Sequence, residues 1–597
     1  METFDSRRLS RRSLLRAMTA LAAGAALPPL GMRPARAATP DLPRDFGKGR
    51  TVAVIGAGMA GLTAGWKLAR SGFKVTIYEA DSRYGGRSLT VRPDDDNGQH
   101  GAYKRWWFNK YNPQRLFPDM YVSRYQEQEG PAREQQICRF ADDTWIPEKG
   151  KPPVELFLNA GPGRIPSDHA ALLQLCGEIG VELEPYIFQS NYNLLRSKKF
   201  RDGQPIAYNQ ITYSTRGELA AKWAKIEDRT CDPKKSAIIN LLKQFGDLDD
   251  NCEFPSSARL GYRELPGGWD TPGSIKDKVP LDEVLGSGFV GGGDPEFTPG
   301  SFLFNADNIV WQNSLMQPVG GMDRIWQRLL LQPIPEAAIR LHPNDPRERE
   351  MRGRHVRYVG DLVLLKYPVA RIDNVPGTKK IRVVTNGHVE VADFCISTMA
   401  PNLLKGILAD GDGQFPKYFK DALGEVEQTP AIKVGWQART RFWEKQNHIY
   451  GGISWTDDDI GQIWYPSEDF NAPTGVLTGA YNRGRTATAF GNLTQKERIA
   501  EALEGGQHLH PSTGPNEPGF KSEIYTDRGL TIAWQYMPFQ VGGWPGPTAS
   551  SQPAIYRTII KPQGQLYLAG DAYSYLPGWQ EGAVTSVYKA IEALPPA

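Results

Sequence analysis

The sequence predicts an α/β protein built around a Rossmann-like dinucleotide-binding unit. Three observations support this: a β-branched run ending in GxGxxG, a helical pattern and second strand directly after it, and a Gly-Asp pair after an apolar run near the C-terminus. The 597 residues provide for several subdomains, and a hydrophobic share of 40% is ordinary for a globular chain.

Residues 1–37 are predicted to be a twin-arginine export signal. "SRRSLLR" contains the pair Arg11 and Arg12, an apolar stretch follows, and a small-x-small "ARA" site ends at Ala37. A membrane anchor is the alternative, but two prolines and a short apolar run disfavour a span. We expect an exported protein, periplasmic or secreted, cleaved near Ala37 and without a membrane span when mature.

The charge balance gives no reason to expect a nucleic-acid partner. The formal charge of the whole chain is +3, and removing residues 1–37, which carry seven Arg against Glu2 and Asp5, changes it to −2. A nucleic-acid-binding protein usually shows a concentrated basic surface.

The dinucleotide site is predicted within residues 51–80. Gly56 makes the tight turn after the first strand, Gly58 lets the backbone approach a pyrophosphate, and Gly61 allows the helix to pack on the strand. The second strand is predicted over Lys74–Tyr78. Glu79, which follows it, is placed to accept hydrogen bonds from the adenosine ribose.

Two further glycine-containing segments indicate a long cofactor. "ADSRYGGR" brings Gly85 and Gly86 directly after Glu79, where nicotinamide enzymes need no second glycine loop. Near the other end, "GQLYLAGD" predicts a strand ending in Gly570-Asp571, followed by a loop and a helix from about Glu581.

These motifs resemble the FAD-dependent amine oxidases. RxGGR, "PVGGMDRI" (318–325), "YPVARID" (367–373) and the terminal "AGD…GWQEGA" match that family in order. The resemblance implies a discontinuous FAD domain of the two-dinucleotide-binding type, a mixed-sheet substrate domain and a helical insertion. The implied ranges are 46–94, 298–427 and 549–597 for the FAD domain, 95–172 and 428–548 for the substrate domain, and 173–297 for the helical domain.

The same resemblance implies non-covalent FAD, since no cysteine lies near the terminal motif. Besides the three glycines of the first motif, the implied cofactor contacts are Glu79, Arg87, Gly321, Met322, Val369, Trp534, Gly570, Asp571, Gly578 and Trp579.

"LNAGPGRIP" (158–166) holds Arg164 in a turn that is too rigid for a helix or strand interior. A helix is predicted to follow, with Ser167 as its N-cap. A fixed guanidinium suits two-pronged binding of an anion, although a plain surface turn is the simpler interpretation. The segment resembles the arginine turn of the L-amino-acid oxidases, which implies that Arg164 binds the substrate α-carboxylate. "TGVLTGAYNRG" resembles the strand whose tyrosine, here Tyr481, completes that site.

Lys433 lies in "TPAIKVGWQA", predicted as an alternating strand. From the pattern alone it could face either solvent or the interior. The resemblance implies the catalytic lysine that holds a water against the flavin N5 atom. It also implies that Trp544 and Trp579 wall the substrate cavity, although buried tryptophans are commonly core residues.

The predicted activity is oxidative deamination of L-amino acids by oxygen, which yields 2-oxo acids, ammonia and hydrogen peroxide. The alternatives are an amide-forming L-amino-acid monooxygenase, a monoamine oxidase and a non-enzymatic flavoprotein. No metal site is predicted, because the His508 and His510 pair lacks a third ligand and resembles a loop. A homodimer is expected.

Two features have open interpretations. The aromatic- and arginine-rich stretch within 95–160 could be a lid, an oligomer contact or a surface elaboration, and the last two are favoured. Cys231 and Cys252 could pair in an oxidising compartment.

Overall fold

The computed structural model describes residues 42–94, 101–141, 155–229, 233–263, 274–289, 303, 314–514, 518–546 and 551–596. The predicted signal segment and Cys231 lie outside these residues. Within them, the helices are α1 Met59–Arg70, α2 Gly101–Tyr111, α3 Ala170–Ile179, α4 Tyr208–Glu227, α5 Lys235–Gly246, α6 Leu281–Gly286, α7 Arg324–Leu330, α8 Pro346–Met351, α9 Pro401–Ile407, α10 Lys417–Gly424, α11 Phe442–Lys445, α12 Gly484–Gly491, α13 Gln495–Leu509, α14 Phe520–Glu523, α15 Pro553–Ile559 and α16 Gln580–Glu592.

The strands in the same residues are short, apart from three long ones in the second half of the chain. They are β1 Thr51–Ile55, β2 Lys74–Tyr78, β3 Thr90–Val91, β4 Arg124–Tyr125, β5 Gln136–Ile137, β6 Leu158–Asn159, β7 Leu183–Ile187, β8 Leu194–Arg196, β9 Ile206–Ala207, β10 Ser314–Pro318, β11 Pro333–Ile334, β12 Arg357–Tyr358, β13 Val363–Leu364, β14 Val369–Asn374, β15 Ile381–Thr385, β16 His388–Ala392, β17 Phe394–Ser397, β18 Gln428–Thr429, β19 Ala431–Ala438, β20 Ile453–Thr456, β21 Gln462–Trp464, β22 Gly475–Arg483, β23 Ile524–Ala533, β24 Trp544–Pro545 and β25 Leu566–Leu568.

A five-stranded parallel sheet, in the order β13-β2-β1-β17-β25, confirms the predicted α/β class. Residues 52–55 of β1 are buried, as expected of a parallel strand covered on both faces. α1 follows β1 and packs against α16. The five strands come from the three separate ranges that the sequence assigned to the FAD domain.

A seven-stranded mixed sheet, in the order β23-β19-β22-β21-β20-β8-β9, forms a second layer. All eight residues of β19 are buried, so the predicted alternation of this strand is wrong: both of its faces are covered. β8 and β9 come from the range 173–297, which was assigned to a helical domain. Within the described residues that range therefore supplies these two strands and β7, which pairs with β10, as well as α4, α5 and α6.

The described part of the stretch 95–160 is integrated into the core, which contradicts the expectation of a peripheral elaboration. Trp107 on α2 and Phe140 are fully buried. Glu127 and Arg498 form a buried two-pronged ion pair, with oxygen–nitrogen distances of 2.7 and 3.1 Å. The stretch is thus anchored to α13 by charge as well as by apolar packing.

The N-cap of α3 lies two residues later than predicted. His169, not Ser167, is the N-cap residue, and its side chain makes no capping hydrogen bond. The carboxylate of Glu581 instead accepts hydrogen bonds from the backbone N–H groups of Ala171 and Leu172, at 3.1 and 2.7 Å. A cap supplied by a residue more than four hundred positions away has no local sequence signal.

The predicted loop around His508 and His510 is also wrong. His508 lies in α13, and His510 is buried, with Nε2 2.7 Å from the Tyr465 hydroxyl. Among the described residues, no helix combines the length and apolar character that crossing a membrane requires.

Candidate active site

The main cavity lies at the carboxyl ends of the parallel strands. Its volume is about 410 Å³, and its lining runs from the glycines after β1 to Lys433 and Tyr481 of the mixed sheet. β1 lies between β2 and β17, so the cavity opens where the order of the strands reverses direction. That is where open α/β sheets bind ligands.

The first glycine motif forms one end of the cavity, and each glycine has a separate structural reason. Gly56 has φ +101°, and a Cβ there would overlap the Thr398 hydroxyl. A Cβ at Gly61 would overlap the carbonyl oxygen of Gly56, so Gly61 is required for the turn into α1. At Gly58 a Cβ would lie 3.9 Å from its nearest neighbour, the Gly85 carbonyl oxygen, which leaves room for a ligand.

The second glycine loop lies beside the first, as the sequence suggested. Gly58 and Gly85 form a parallel bridge, and the Gly85 N–H donates to the Ala57 carbonyl at 2.9 Å. Gly86 has φ +55° and lies against the Gly58 backbone. The two loops therefore form one backbone-lined cradle at the N-terminus of α1. Its shape and its exposed peptide groups fit the pyrophosphate of a dinucleotide.

Glu79 directly follows β2 and lines this part of the cavity. Its carboxylate accepts hydrogen bonds from the backbone N–H groups of Ala57, at 2.7 Å, and Asp81, at 2.9 Å. Burial raises the pKa of Glu79, while these two donors favour its charged form. The side chain is therefore held in place at the position predicted to face the ribose.

Arg87 and Asp571 line the cavity and form an ion pair with each other. The Arg87 guanidinium also donates to the Gly543 carbonyl, and Asp571 accepts from the Gly578 N–H at 2.9 Å. The pair connects the RxGGR loop to the C-terminal motif across 484 residues of sequence.

The remaining predicted cofactor contacts divide into two groups. Val369 and Gly570 line the cavity, and Gly570 has φ +125°. Gly321 and Met322 are not among the residues that line it in the described part of the chain. Gly321, with φ +106°, forms the turn before α7, where a Cβ would crowd Thr90, and Met322 is fully buried. Their tight packing explains the "GGM" pattern without a ligand.

Lys433 and Tyr481 are direct partners in the register of β19 and β22. Both line the cavity, so the interpretation of Lys433 as a solvent-facing residue is wrong. The Lys433 ammonium donates to the carbonyls of Asn159 and Gly161, at 2.8 and 2.6 Å. Burial, and next the charge of Arg164, lower the pKa of Lys433 to about 7.

Arg164 lies next to the cavity among aromatic rings. Its guanidinium carbon is 4.6 Å from the ring centre of Trp464, 5.2 Å from that of Phe188 and 5.7 Å from that of Trp579. It is buried and electrostatically coupled to Tyr481, and burial lowers its pKa. Arg164 is not among the lining residues in the described part of the chain, whereas Tyr481 and Trp579 are.

The three predicted tryptophans, Trp534, Trp544 and Trp579, all line the cavity. The indole of Trp534 donates to the Ala160 carbonyl at 3.0 Å, which ties β23 to the arginine turn. The backbone at Gly578, with φ +81°, lies against Trp544, where a Cβ would come within 3.2 Å of its side chain.

Trp464, which was not among the predicted site residues, lies at the centre of the group formed by Arg164, Lys433 and Tyr481. Its ring centre is 4.8 Å from the Lys433 ammonium and 5.1 Å from the Tyr481 ring, and Arg164 packs against it as well. Tyr186 was also missed; it is buried and electrostatically coupled to Arg164. Each residue reaches the site from a different strand, and no spacing within the sequence connects them.

Comparison with known proteins places these features in a family context. The family described as flavin-containing amine oxidoreductases matches residues 353–592, and the NAD(P)-binding Rossmann-like domain matches residues 54–121. A mouse L-amino-acid oxidase is 24% identical over 567 residues, covering 91% of this chain and 70% of the mouse protein. An L-amino-acid oxidase of Siganus canaliculatus is 20% identical over 570 residues, covering 90% of this chain and 84% of its own length.

Among solved structures, a redesigned putrescine oxidase is similar with a TM-score of 0.51 and 17% identity. The match covers 91% of this chain and 98% of that one. At this identity the likeness concerns the fold.

Proposed function

We propose that this chain is a member of the FAD-dependent amine oxidase family, in its L-amino-acid oxidase branch, and that it oxidises free L-amino acids with oxygen. The proposed products are a 2-oxo acid, ammonia and hydrogen peroxide, with one water consumed for each substrate. FAD, bound non-covalently, supplies the two-electron oxidant. The single observation that carries the proposal is the convergence of Arg164, Tyr481 and Lys433 on Trp464, beside the cavity that Lys433 and Tyr481 line.

Arg164 is the proposed partner of the substrate carboxylate. A guanidinium binds a carboxylate with two parallel hydrogen bonds, and the strength of that pair increases where water is excluded. Tyr186 and Tyr481 lie close enough to couple electrostatically to Arg164. The Tyr186 hydroxyl is buried and has no hydrogen-bond partner among the described residues, so it offers a further donor. Because Arg164 does not line the cavity, we expect the side chain of Trp579 or Tyr481 to move when substrate binds.

Lys433 is proposed to position a water or a proton at the reacting centre. With a pKa of about 7 it exists in both protonation states near neutral pH, unlike an ordinary lysine. Its hydrogen bonds to two backbone carbonyls fix its direction. The site thus combines a permanent cation at Arg164 with a titratable amine at Lys433.

The test is a substrate panel on the purified holoenzyme. Each of the twenty L-amino acids, matched D-amino acids and carboxylate-free amines are supplied with oxygen, while peroxide, ammonia and 2-oxo acid are measured. Equal yields of the three products from L-amino acids alone support the proposal. An amide product with loss of carbon dioxide would indicate the monooxygenase, and faster oxidation of simple amines would indicate a monoamine oxidase.

We also propose that the protein is exported in a folded state after binding FAD. The pair Arg11 and Arg12, the apolar stretch and the cleavage site near Ala37 support this proposal. A homodimer remains a proposal that measurement of the mass in solution can test.

A further inference from the structure

Three side chains that commonly ligate metals meet outside the cavity. The ligand atoms of His342, His388 and Glu390 all lie within 4.8 Å of one another. His388 and Glu390 are two residues apart on β16, so both project from the same face of that strand. His342 reaches them from the loop before α8.

The imidazoles of His342 and His388 each have an Nε2 atom available to bind a metal. The ring centres of His342 and His388 are 3.8 Å apart, and Nε2 of His342 is 3.8 Å from a Glu390 carboxylate oxygen. Nε2 of each histidine is buried and has no hydrogen-bond partner among the described residues. Buried polar nitrogens are nearly always partnered, and two neighbouring exceptions that face one carboxylate call for an explanation.

The charged and polar groups that surround the cluster are Arg340, Tyr78 and the Arg347–Asp345 pair. Arg340 donates to a Glu390 oxygen at 2.8 Å, and the Tyr78 hydroxyl donates to the other. Arg347 is paired with Asp345 at 2.6 Å. Burial is the largest cause that lowers the pKa of His342, to about 4, and that lowers the pKa of His388 as well.

We propose that His342, His388 and Glu390 form a binding site for a divalent transition-metal ion of the zinc type. Two imidazoles and one carboxylate are a donor set that zinc accepts, with a fourth position left for water. Bonds of about 2.1 Å place tetrahedral ligands about 3.4 Å apart, so ligand atoms that now lie up to 4.8 Å apart must draw together by up to about 1.4 Å. The ion binds the Glu390 oxygen that faces His342, to which Tyr78 donates, while the positive charge of Arg340 on the other oxygen competes with it.

The site adjoins the cofactor cavity through Tyr78. This residue ends β2, lines the cavity, hydrogen-bonds Glu390 and stacks on His388 with a ring separation of 6.1 Å. A bound ion would therefore stabilise the contact between β16 and β2, the strand that Glu79 follows. The proposal stands independently of the proposed reaction.

The experiment uses the untagged holoenzyme, dialysed against a chelator and then titrated with Zn²⁺ in a calorimeter. One equivalent is expected to bind and to raise the unfolding temperature. His342→Ala and His388→Ala should each weaken binding at least tenfold and abolish the rise in temperature. Their FAD content and circular dichroism verify folding. His355→Ala is the matched control, because that histidine is exposed outside the cluster, and it should bind as the wild type does.

Arg340→Gln provides an independent arm, because it removes the cation that competes for Glu390. It should tighten zinc binding several-fold, whereas a purely structural cluster would gain nothing. Binding of less than one equivalent by the wild type would overturn the proposal. Equal affinities of the His342→Ala, His388→Ala and His355→Ala variants, or unchanged affinity in Arg340→Gln, would overturn it as well.

Discussion

Arg164 and Lys433 both pack against the indole of Trp464, at 4.6 and 4.8 Å from its ring centre, yet their electrostatic behaviour differs. A guanidinium keeps its charge even when burial lowers its pKa, whereas the amine of Lys433 titrates near neutrality. This difference predicts separate functional defects when each residue is replaced.

Arg164→Ala should lower kcat/KM for L-amino acids by on the order of a hundredfold, because a desolvated substrate carboxylate is left without its cation. Arg164→Lys should recover only part of the loss, since an ammonium cannot form the planar two-bond pair. Steady-state kinetics with FAD content as control measure both effects. A carboxylate-free amine should respond little to either change, and an equal loss for amine and amino acid would mean that Arg164 only supports the turn.

Lys433→Met should retain FAD but slow flavin reoxidation by oxygen, as measured by stopped flow. The wild-type rate should change around pH 7, and the variant should lack that inflection. Folding stability provides a second readout. Between about pH 7 and 10.4 the unfolded chain holds a proton that folded Lys433 has released, so the contribution of this group to stability rises with pH and is lowest below 7. Chemical unfolding at several pH values should show a flatter profile in the variant.

At the scale of elements, the turn between β1 and α1 contains one glycine needed for ligand binding, Gly58, and another needed for folding, Gly61. Gly58→Val should give a folded protein without FAD, because the added side chain enters the space left for the cofactor. Gly61→Ala should impair folding itself, since its Cβ overlaps the Gly56 carbonyl. Circular dichroism and the flavin absorbance of the purified variants separate the two outcomes. Loss of structure in Gly58→Val, or wild-type stability of Gly61→Ala, would contradict these separate roles of the two glycines.

Local patterns predicted the elements of the nucleotide unit well. The second strand occupies Lys74–Tyr78 as expected, and the C-terminal helix begins at Gln580, one residue before its predicted start. These elements are specified by β-branched runs and glycine turns within about thirty residues. The start of α3 was misplaced, because its cap comes from Glu581 rather than from a neighbour such as Ser167.

The candidate site was predictable only where one segment carried a recognisable motif. Lys433 and Tyr481 were identified separately, but that they face each other depends on the register of β19 and β22, which the sequence does not encode locally. Trp464 carried no signal at all. The pairing of His342 with His388 and Glu390 likewise depends on a loop and a strand that come together only in the fold.

For the molecule as a whole, the Glu127–Arg498 pair joins the stretch 95–160 to α13. Arg498→Met should lower the free energy of unfolding by about 3–5 kcal/mol, because Glu127 remains buried without its cation. Combining it with Glu127→Gln should restore much of the loss, since glutamine can still accept from the Ala533 N–H. A double-mutant cycle by chemical unfolding measures this. Additive losses would show that the pair does not hold the stretch in place.

The proposed export concerns the whole chain as well. Changing Arg11 and Arg12 together to lysine should leave a flavin-loaded precursor in the cytoplasm, because a twin-arginine signal requires the guanidinium pair. Cell fractionation and N-terminal sequencing provide the measurement. Unimpaired export of the double variant would refute the twin-arginine proposal, and mature protein from the unmodified chain should begin near Ala38.

The order of strands in the parallel sheet also determines when the cofactor site comes into existence during translation. β1 can pair with β2 as soon as both have emerged, but its other neighbour, β17, begins at Phe394, and β25 begins only at Leu566. Asp571 and Trp579, which line the cavity, emerge only after β25. A nascent chain stalled before residue 566 therefore offers FAD only the glycine side of its site, so stable capture of the flavin must follow synthesis of β25 and of the cavity residues after it.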